Sequence, residues 1–172
     1  MNYGTISFST NYYTSLKKIK VSKGTVLQKK GEYNTKVYKV LSGLLRSYCT
    51  DEKGREHIFM FAPEGWLIAD ACPPEEACDL HIDALEDATV VVTVKDLSTN
   101  FSDKQKLTKR IWVMQRRILT LMSLSAMERY TYFITTYPNI AQRVPQKMIA
   151  SYLGITPEAL SKTKRKYLGT NQ

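Results

Sequence analysis

Long apolar runs and paired cysteines are both missing from this sequence. No segment approaches the roughly 18 apolar residues of a membrane span, and no basic flank precedes an apolar run at the N-terminus as in a signal peptide. Three cysteines, Cys49, Cys72 and Cys78, form no CxxC motif and cannot all pair within one chain. A disulfide framework is therefore a poor explanation, and we expect a cytoplasmic protein with reduced thiols and no membrane association.

Catalytic motifs are missing as well. The sequence has no GxSxG and no P-loop, and its two histidines are too few for an ordinary metal-dependent barrel enzyme. We expect no enzymatic activity, no cofactor and no metal site, with the metal-dependent enzyme as the rival interpretation. Cys72, Cys78 and His81 lie close in sequence beside acidic residues, which leaves a metal or redox role open. Their spacing matches no zinc signature, so buried or incidental cysteines are the default.

Positive charge is concentrated in one part of the chain, whose net charge is +9. Residues 1–102 hold 12 Lys and Arg against 13 Asp and Glu, residues 103–140 hold 7 against 2, and the last 32 residues hold 6 against 1. This distribution is expected when one end of a protein meets a polyanion. A solvated basic tail is the alternative. Arg116 and Arg117 could contact phosphate or an acidic neighbour, but solvated charge is the simpler interpretation.

The first hundred residues carry a β-sheet pattern. From Ile19 to Val94, short β-prone stretches alternate with glycine turns at the spacing of about 8 to 12 residues that is typical of an all-β sandwich or barrel. Tyr48 to Phe59 is predicted to be a hairpin in which Gly54 adopts a positive φ. We therefore predict a β-barrel here.

A long helix is predicted next. Residues 104–137 contain no glycine or proline, and their apolar residues recur at intervals of three and four. Asp103 or Ser102 can cap the start, and Pro138 prevents simple continuation. Some thirty residues would span about 45 Å, too long for the flank of a small barrel, so we expect pairing with a second copy. Packing of the stripe on the barrel is the alternative. The predicted dimer stripe is Leu107, Ile111, Met114, Ile118 and Leu121.

The last region, RVPQKMIASYLGITPEALSKTKRKYL, has the pattern of two short helices. A helix from Gln146 to Tyr152 would end at Gly154 in the left-handed conformation, and Thr156 would cap a second helix that begins at Pro157. Two short helices joined by a tight glycine turn form a helix-turn-helix, whose second helix normally enters the DNA groove. On that helix Leu160 and Tyr167 are expected to pack inward. The outward residues are mostly basic: Ser161, Lys162, Lys164, Arg165 and Lys166.

These segments resemble the Crp/Fnr family of bacterial regulators over nearly the whole chain. KGTVLQKKGE, VYKVLSGLLRSY and DEKGREHIFMFAPEGWL are similar to its cyclic-nucleotide-binding-type barrel, and IASYLGITPEALSKTKRKY is similar to its helix-turn-helix. The resemblance implies a transcription regulator that binds a pseudo-palindromic double-stranded DNA site as a homodimer through its long helices.

The resemblance also implies which residues meet DNA. The family positions that touch bases correspond to Pro157, Glu158, Ser161 and Lys162, of which we expect base contacts from the last three. Glu158 can accept from a cytosine amino group, and Lys162 can donate to guanine O6 and N7. Phosphate contacts are expected from Thr156, Lys164, Arg165 and Lys166.

Two departures from the family pattern modify these expectations. Only about seven residues, Asn139 to Pro145, precede the first helix of the motif, so we expect no β-hairpin wing. The Gly-Glu pair and the arginine that hold the phosphate of a cyclic nucleotide correspond to Ile68, Ala69 and Cys78, and none matches. Residues 64–87 contain eight acidic residues and no Lys or Arg, so a phosphate would meet repulsion. We expect no binding of cAMP or cGMP; the barrel is a ligand-free scaffold or holds an unknown uncharged effector.

The predicted fold class is α+β. It consists of an antiparallel β-barrel of the double-stranded β-helix or jelly-roll type in residues 1–102, a long dimerisation helix and linker in 103–137, and a wingless helix-turn-helix in 138–172. The alternative is a protein-interaction or small-molecule-sensing barrel without DNA binding. The basic face of the last helix discriminates the two, because a protein-binding relic would have little reason to keep it.

Overall fold

The structure, a computed structural model, describes residues 17–95 and 104–170. The chain divides into two compact units, residues 1–102 and residues 103–172. The described residues of the first unit form strands, and those of the second form helices. Within the described residues, no helix combines the length and apolar character that a membrane span requires.

Residues 17–95, the described part of the first unit, form eight strands. They form two four-stranded sheets, in the orders β1-β8-β3-β6 and β2-β7-β4-β5, and the paired strands are antiparallel. This arrangement confirms the predicted double-stranded β architecture. The strands are β1 (Lys18–Val21), β2 (Val26–Gln28), β3 (Lys36–Ser42), β4 (Leu45–Thr50), β5 (Glu56–Ala62), β6 (Leu67–Ile68), β7 (His81–Ala84) and β8 (Ala88–Val94).

The apolar core of this unit follows from side-chain alternation along the strands. Tyr38 and Val40 on β3 are buried, as are Ile82 and Ala84 on β7, because residues two apart lie on the same face of a strand. Strand β8 is rich in β-branched residues, and one of them, Val90, is buried in the same core. Both sheets thus contribute to one core.

The turn between β3 and β4 depends on Gly43. Its φ is +86°, and a Cβ atom at this position would lie 2.5 Å from the backbone oxygen of Asp87. No other residue fits there without a shift of the backbone. The next turn, between β4 and β5, confirms the hairpin predicted around Gly54, whose φ is +72°. The observed hairpin is longer than predicted and pairs Leu45 with Ala62.

In the second unit, residues 104–170 form five helices: α1 (Lys104–Ser123), α2 (Ala126–Thr136), α3 (Pro138–Arg143), α4 (Gln146–Leu153) and α5 (Pro157–Thr170). Residues 124–170, all of which the structure describes, contain no strand.

The expectation of one continuous helix over residues 104–137 is wrong. The helix stops after Ser123 and restarts at Ala126, because Ser125 caps α2 in a reciprocal box with Glu128. The 20 residues of α1 therefore span about 30 Å rather than 45 Å.

Candidate nucleic-acid interface

The helix-turn-helix begins with α4, which ends as the sequence predicts. Gly154 has a φ of +67°, and its N–H donates to the carbonyl groups of Ala150 and Ser151. Ile149 and Leu153 are buried on the inner side of α4. This left-handed residue stops α4 and redirects the chain toward α5 within three residues.

The start of α5 is fixed by Thr156. Its hydroxyl oxygen accepts a hydrogen bond from the N–H of Ala159 at 3.2 Å, and Pro157 is the first helical residue. The N–H of Glu158 and the Thr156 hydroxyl hold the pKa of the Glu158 carboxyl below its ordinary value. Glu158 is therefore a hydrogen-bond acceptor at neutral pH.

The two sides of α5 differ in chemistry. Leu160 is 1% exposed, Thr163 is buried, and the Tyr167 ring packs edge-on against Tyr130 with centroids 5.7 Å apart. Glu158 lies on the side of the helix opposite to these buried residues. The residues that follow it at intervals of three and four positions lie on the same side as Glu158. We call that exposed surface the α5 face; its residues are Glu158, Ser161, Lys162, Arg165 and Lys166.

Lys164 lies beside the α5 face and is half-buried, whereas Thr156 is exposed at the end of the helix. The structure thus brings the residues predicted for base and phosphate contacts together around one helix. Thr163, which packs inward, is the buried position of α5 that sequence reasoning missed. Its position three residues after Leu160 is the signal that could have identified it.

Helix α1 carries an exposed apolar surface. Ile111, Met114 and Ile118 are all exposed, and Ile118 is 55% exposed. Leu121 is half-buried and lies near Gly154, and the side chain of Leu107 is outside the described residues. Sequence reasoning missed three further exposed apolar residues that widen this surface: Trp112, Leu119 and Met122. The seven-residue spacing of Trp112 and Leu119 is the signal that could have identified them.

The positions predicted for a degenerate effector site carry no cation. Ile68 is buried in β6 opposite Tyr38, and Ala69 is half-buried. Cys78 is buried, its thiol donates to the carbonyl of Lys29 at 3.0 Å, and burial raises the pKa of that thiol. These side chains offer an anion neither charge nor amide donors.

Backbone N–H groups in the same region donate hydrogen bonds to the carboxylate of Asp70. Sequence reasoning did not single out this residue. The carboxylate accepts from the N–H groups of Cys72, Asp79 and Leu80, each at 2.9 Å. Burial disfavours the charged form of Asp70, but these hydrogen bonds outweigh burial and hold its pKa below the ordinary value. A cluster of amide donors that could cradle an anion already holds the chain's own carboxylate.

A buried cation elsewhere in the first unit is also neutralised within the chain. Arg46 on β4 is 6% exposed and donates to Asp83 at 2.8 and 2.9 Å and to Glu56 at 2.5 and 3.1 Å. Burial disfavours its charge, yet the two carboxylates outweigh burial and raise its pKa above the ordinary value. The guanidinium lies 4.1 Å from the Tyr48 ring centroid. Arg46 therefore belongs to a network of hydrogen-bonded ion pairs that joins β4, β5 and β7.

The residues with an open metal or redox role are each engaged by a different partner. The Cys72 sulfur is 3.3 Å from Lys95 Nζ, and the Cys78 thiol donates to the backbone carbonyl of Lys29. The His81 ring stacks on the Tyr48 ring with centroids 5.0 Å apart. Among residues 17–95 and 104–170, no group of three or more His, Cys, Asp or Glu side chains is arranged to hold a metal ion.

Two buried polar atoms inside the first unit stand out. Gln28 Oε1 and Ser47 Oγ find no hydrogen-bond partner among the residues that the structure describes. Gln28 on β2 and Ser47 on β4 both pair with Ile82 in strand register. They therefore point to the same face of their sheet.

Comparison with known proteins agrees with this architecture. Residues 18–101 match the cyclic nucleotide-binding domain family. The chain is 29% identical over 165 residues to the "Anaerobic regulatory protein" of Aggregatibacter actinomycetemcomitans, covering 83% of this chain and 63% of the relative. The chain thus spans about 63% of that relative's length.

Solved structures share the fold. FixK2 from Bradyrhizobium japonicum superposes with a TM-score of 0.72 at 21% identity, covering 91% of this chain and 86% of that one. A transcriptional regulator of the Crp/Fnr family from Thermus thermophilus gives a TM-score of 0.72 at 16% identity, covering 90% of this chain and 87% of that one.

A cyclic nucleotide-binding-type β domain followed by a helix-turn-helix is the architecture that this chain shares with these solved structures. Residues 18–101 are thus similar to the cyclic nucleotide-binding domain family, and the fold of the chain is that of solved Crp/Fnr-type regulators.

Proposed function

We propose that this protein is a sequence-specific DNA-binding transcription regulator that acts as a homodimer and does not respond to cAMP or cGMP. The exposed α5 face is the observation that carries the proposal. It presents three cations and one ionised carboxylate on a helix that directly follows the turn of the motif. A helix of this kind fits the major groove, where base edges present both donors and acceptors.

The residues around α5 divide into two roles. Glu158, Ser161 and Lys162 lie in the N-terminal half of α5, which is the part of a recognition helix that reaches base edges. Thr156, Lys164, Arg165 and Lys166 contact phosphates, which positions the helix and adds affinity without sequence preference. Lys162 is the principal specificity residue, because its ammonium can donate to both acceptors of a guanine.

The exposed apolar surface of α1 supports the dimer. Water contacts Ile118 and Met122 in a single copy, and Met122 is 78% exposed. Pairing of two α1 helices about a two-fold axis removes this surface from water, which stabilises the pair. The two α5 helices then lie about 34 Å apart, one turn of DNA, and the bound site is pseudo-palindromic.

The Asp70 carboxylate supports the lack of a cyclic-nucleotide response. A phosphate at this position would compete with Asp70 for the N–H groups of Cys72, Asp79 and Leu80, and it would meet a like charge. Titration calorimetry with cAMP and with cGMP is expected to give no heat of binding. Micromolar affinity for either nucleotide would overturn this part of the proposal.

Selection of bound sites from random duplex DNA, followed by competition at increasing salt, tests the proposal. The recovered sites are expected to share a two-fold symmetric sequence. Replacing Arg165 and Lys166 by alanine should weaken binding to all duplexes and reduce the salt slope by about 2. The matched control removes two exposed cations of α1, Lys109 and Arg110, and should leave the slope unchanged. Recovery of no common sequence would overturn the proposed function.

A further inference from the structure

The carbonyl groups at the end of α4 all find donors, and two of these donors come from other helices. The last four carbonyls of a helix have no partner inside it. Those of Ala150 and Ser151 accept from the backbone N–H of Gly154. The carbonyl of Tyr152 accepts from Arg117 at 3.2 Å, and that of Leu153 accepts from Arg129 at 2.9 Å.

Each of the two arginines makes a second contact that holds it in place. The Arg117 guanidinium lies 3.9 Å from the centroid of the Tyr152 ring. Arg129 Nε donates to the carbonyl of Leu124, at the break between α1 and α2, at 2.9 Å. A planar guanidinium can make such paired contacts, whereas a lysine ammonium is a single point of charge. Both cations also lie at the negative end of the α4 dipole.

These contacts join the helix that carries the apolar surface to the turn that precedes α5. Arg117 belongs to α1 and Arg129 to α2, while Tyr152 and Leu153 are the last residues of α4. A Cβ atom at Gly154 would lie 3.5 Å from Leu121 Cδ2 and 3.6 Å from Arg129 Nη1, so the turn itself packs closely on both helices. Thr156 follows two residues later and starts α5. A rotation of α4 and α5 relative to both α1 and α2 has to break both arginine contacts.

We propose that Arg117 and Arg129 are positioning residues for DNA recognition. They lock the end of α4 to α1 and α2, so that the two-fold pairing of α1 sets the separation and orientation at which the two α5 helices meet DNA. This inference rests on the proposed function. It assigns the preference for one half-site spacing to two residues that do not lie on the α5 face.

The test compares half-site spacing in the wild-type protein and in the double variant Arg117→Lys, Arg129→Lys, which keeps the net charge. The probes are the half-site selected from random DNA by the wild-type protein, alone and as symmetric pairs whose separation changes one base pair at a time. Arg116→Lys is the matched control, because Arg116 lies next to Arg117 on α1 but is exposed and faces the Trp112 ring at 5.3 Å.

The wild-type protein and the control should prefer one spacing. In the double variant, the ratio of affinities between the best spacing and its neighbours should fall about fivefold or more, while affinity for the isolated half-site changes less than about twofold. If the double variant does not stay folded, as judged by circular dichroism, Arg117→Lys alone carries the same comparison.

An unchanged spacing ratio would overturn the inference. Equal weakening on the isolated half-site and on every spacing would overturn it too, because the arginines would then only stabilise the fold. Absence of wild-type binding to any duplex at low salt is a different result, and it would remove the proposed function itself.

Discussion

Ser125 and Glu128 exchange hydrogen bonds across the first turn of α2. The N–H of Glu128 donates to Ser125 Oγ at 3.3 Å, and Glu128 Oε2 accepts from the N–H of Ser125 at 2.8 Å. The Ser125 hydroxyl and N–H together hold the pKa of the Glu128 carboxyl below its ordinary value. This capping box separates α1 from α2, and the carbonyl of Leu124 beside it becomes the anchor for Arg129.

Replacing Ser125 by alanine should destabilise the helical unit by about 1 kcal/mol, because the N–H of Glu128 loses its acceptor at the helix start. The free energy of unfolding, from urea titration followed by circular dichroism, is the measurement. Ser123→Ala is the control: its hydroxyl donates to the carbonyl of Leu119 within α1, and its removal should change stability by less than about 0.5 kcal/mol. Equal effects of the two substitutions would contradict a capping role for Ser125.

Asp70 should make the stability of the first unit depend on pH in the acid range. The pKa of the Asp70 carboxyl in the folded protein lies below 3.8, the ordinary value expected in the unfolded chain. At a pH between these two pKa values, the unfolded chain therefore binds more protons than the folded protein. The stabilisation is therefore fully present above the unfolded pKa and is lost as the pH falls through the folded pKa.

Asp70→Asn should cost about 1 to 3 kcal/mol at pH 7, because an amide cannot accept all three N–H groups in the same way. Unfolding curves between pH 7 and pH 3 should show the difference from wild type shrinking toward the acid end. Glu75→Gln, at an exposed position of the same loop, is the control and should leave the pH dependence unchanged. A difference that is constant with pH would contradict a lowered pKa for Asp70 in the folded protein.

The apolar surface of α1 should be the dimer contact. Ile118→Glu places a charge where two copies would meet, and burying that charge without a partner is costly. Sedimentation velocity should show a dimer for the wild type and a monomer for the variant at the same concentration. Lys109→Glu, an exposed position of α1 outside the apolar surface, should remain dimeric. A dimer that survives Ile118→Glu would place the contact elsewhere.

The elements that sequence reasoning found are those fixed by neighbours in the chain. Glycines at turns, alternating β-branched residues and the Thr156–Pro157 helix start act within a few residues, and each is present as expected. The α5 face also follows from helical periodicity alone, since it depends only on which positions lie three and four residues apart. The break at Ser125 is local as well, but the apolar periodicity continues across it and masks the capping signal.

The remaining features depend on partners that are distant in sequence. Arg46 and Asp83 are 37 positions apart, and Arg117 and Tyr152 are 35 apart. Residue type shows that an arginine can pair, but only the strand register and the helix packing decide which carboxylate or carbonyl it meets. The predicted solvated role of Arg117 is wrong for this reason, because its guanidinium is held by the carbonyl and the ring of Tyr152.

The most direct test of DNA reading by α5 is the affinity of Lys162→Ala for the selected site and for a random duplex, measured by fluorescence anisotropy at one ionic strength. The ratio of the two affinities should fall by a factor that corresponds to about 1 to 3 kcal/mol. Arg165→Ala should weaken both duplexes together and leave the ratio unchanged, because it contacts phosphate. Equal losses on the selected and the random duplex with Lys162→Ala would contradict the account.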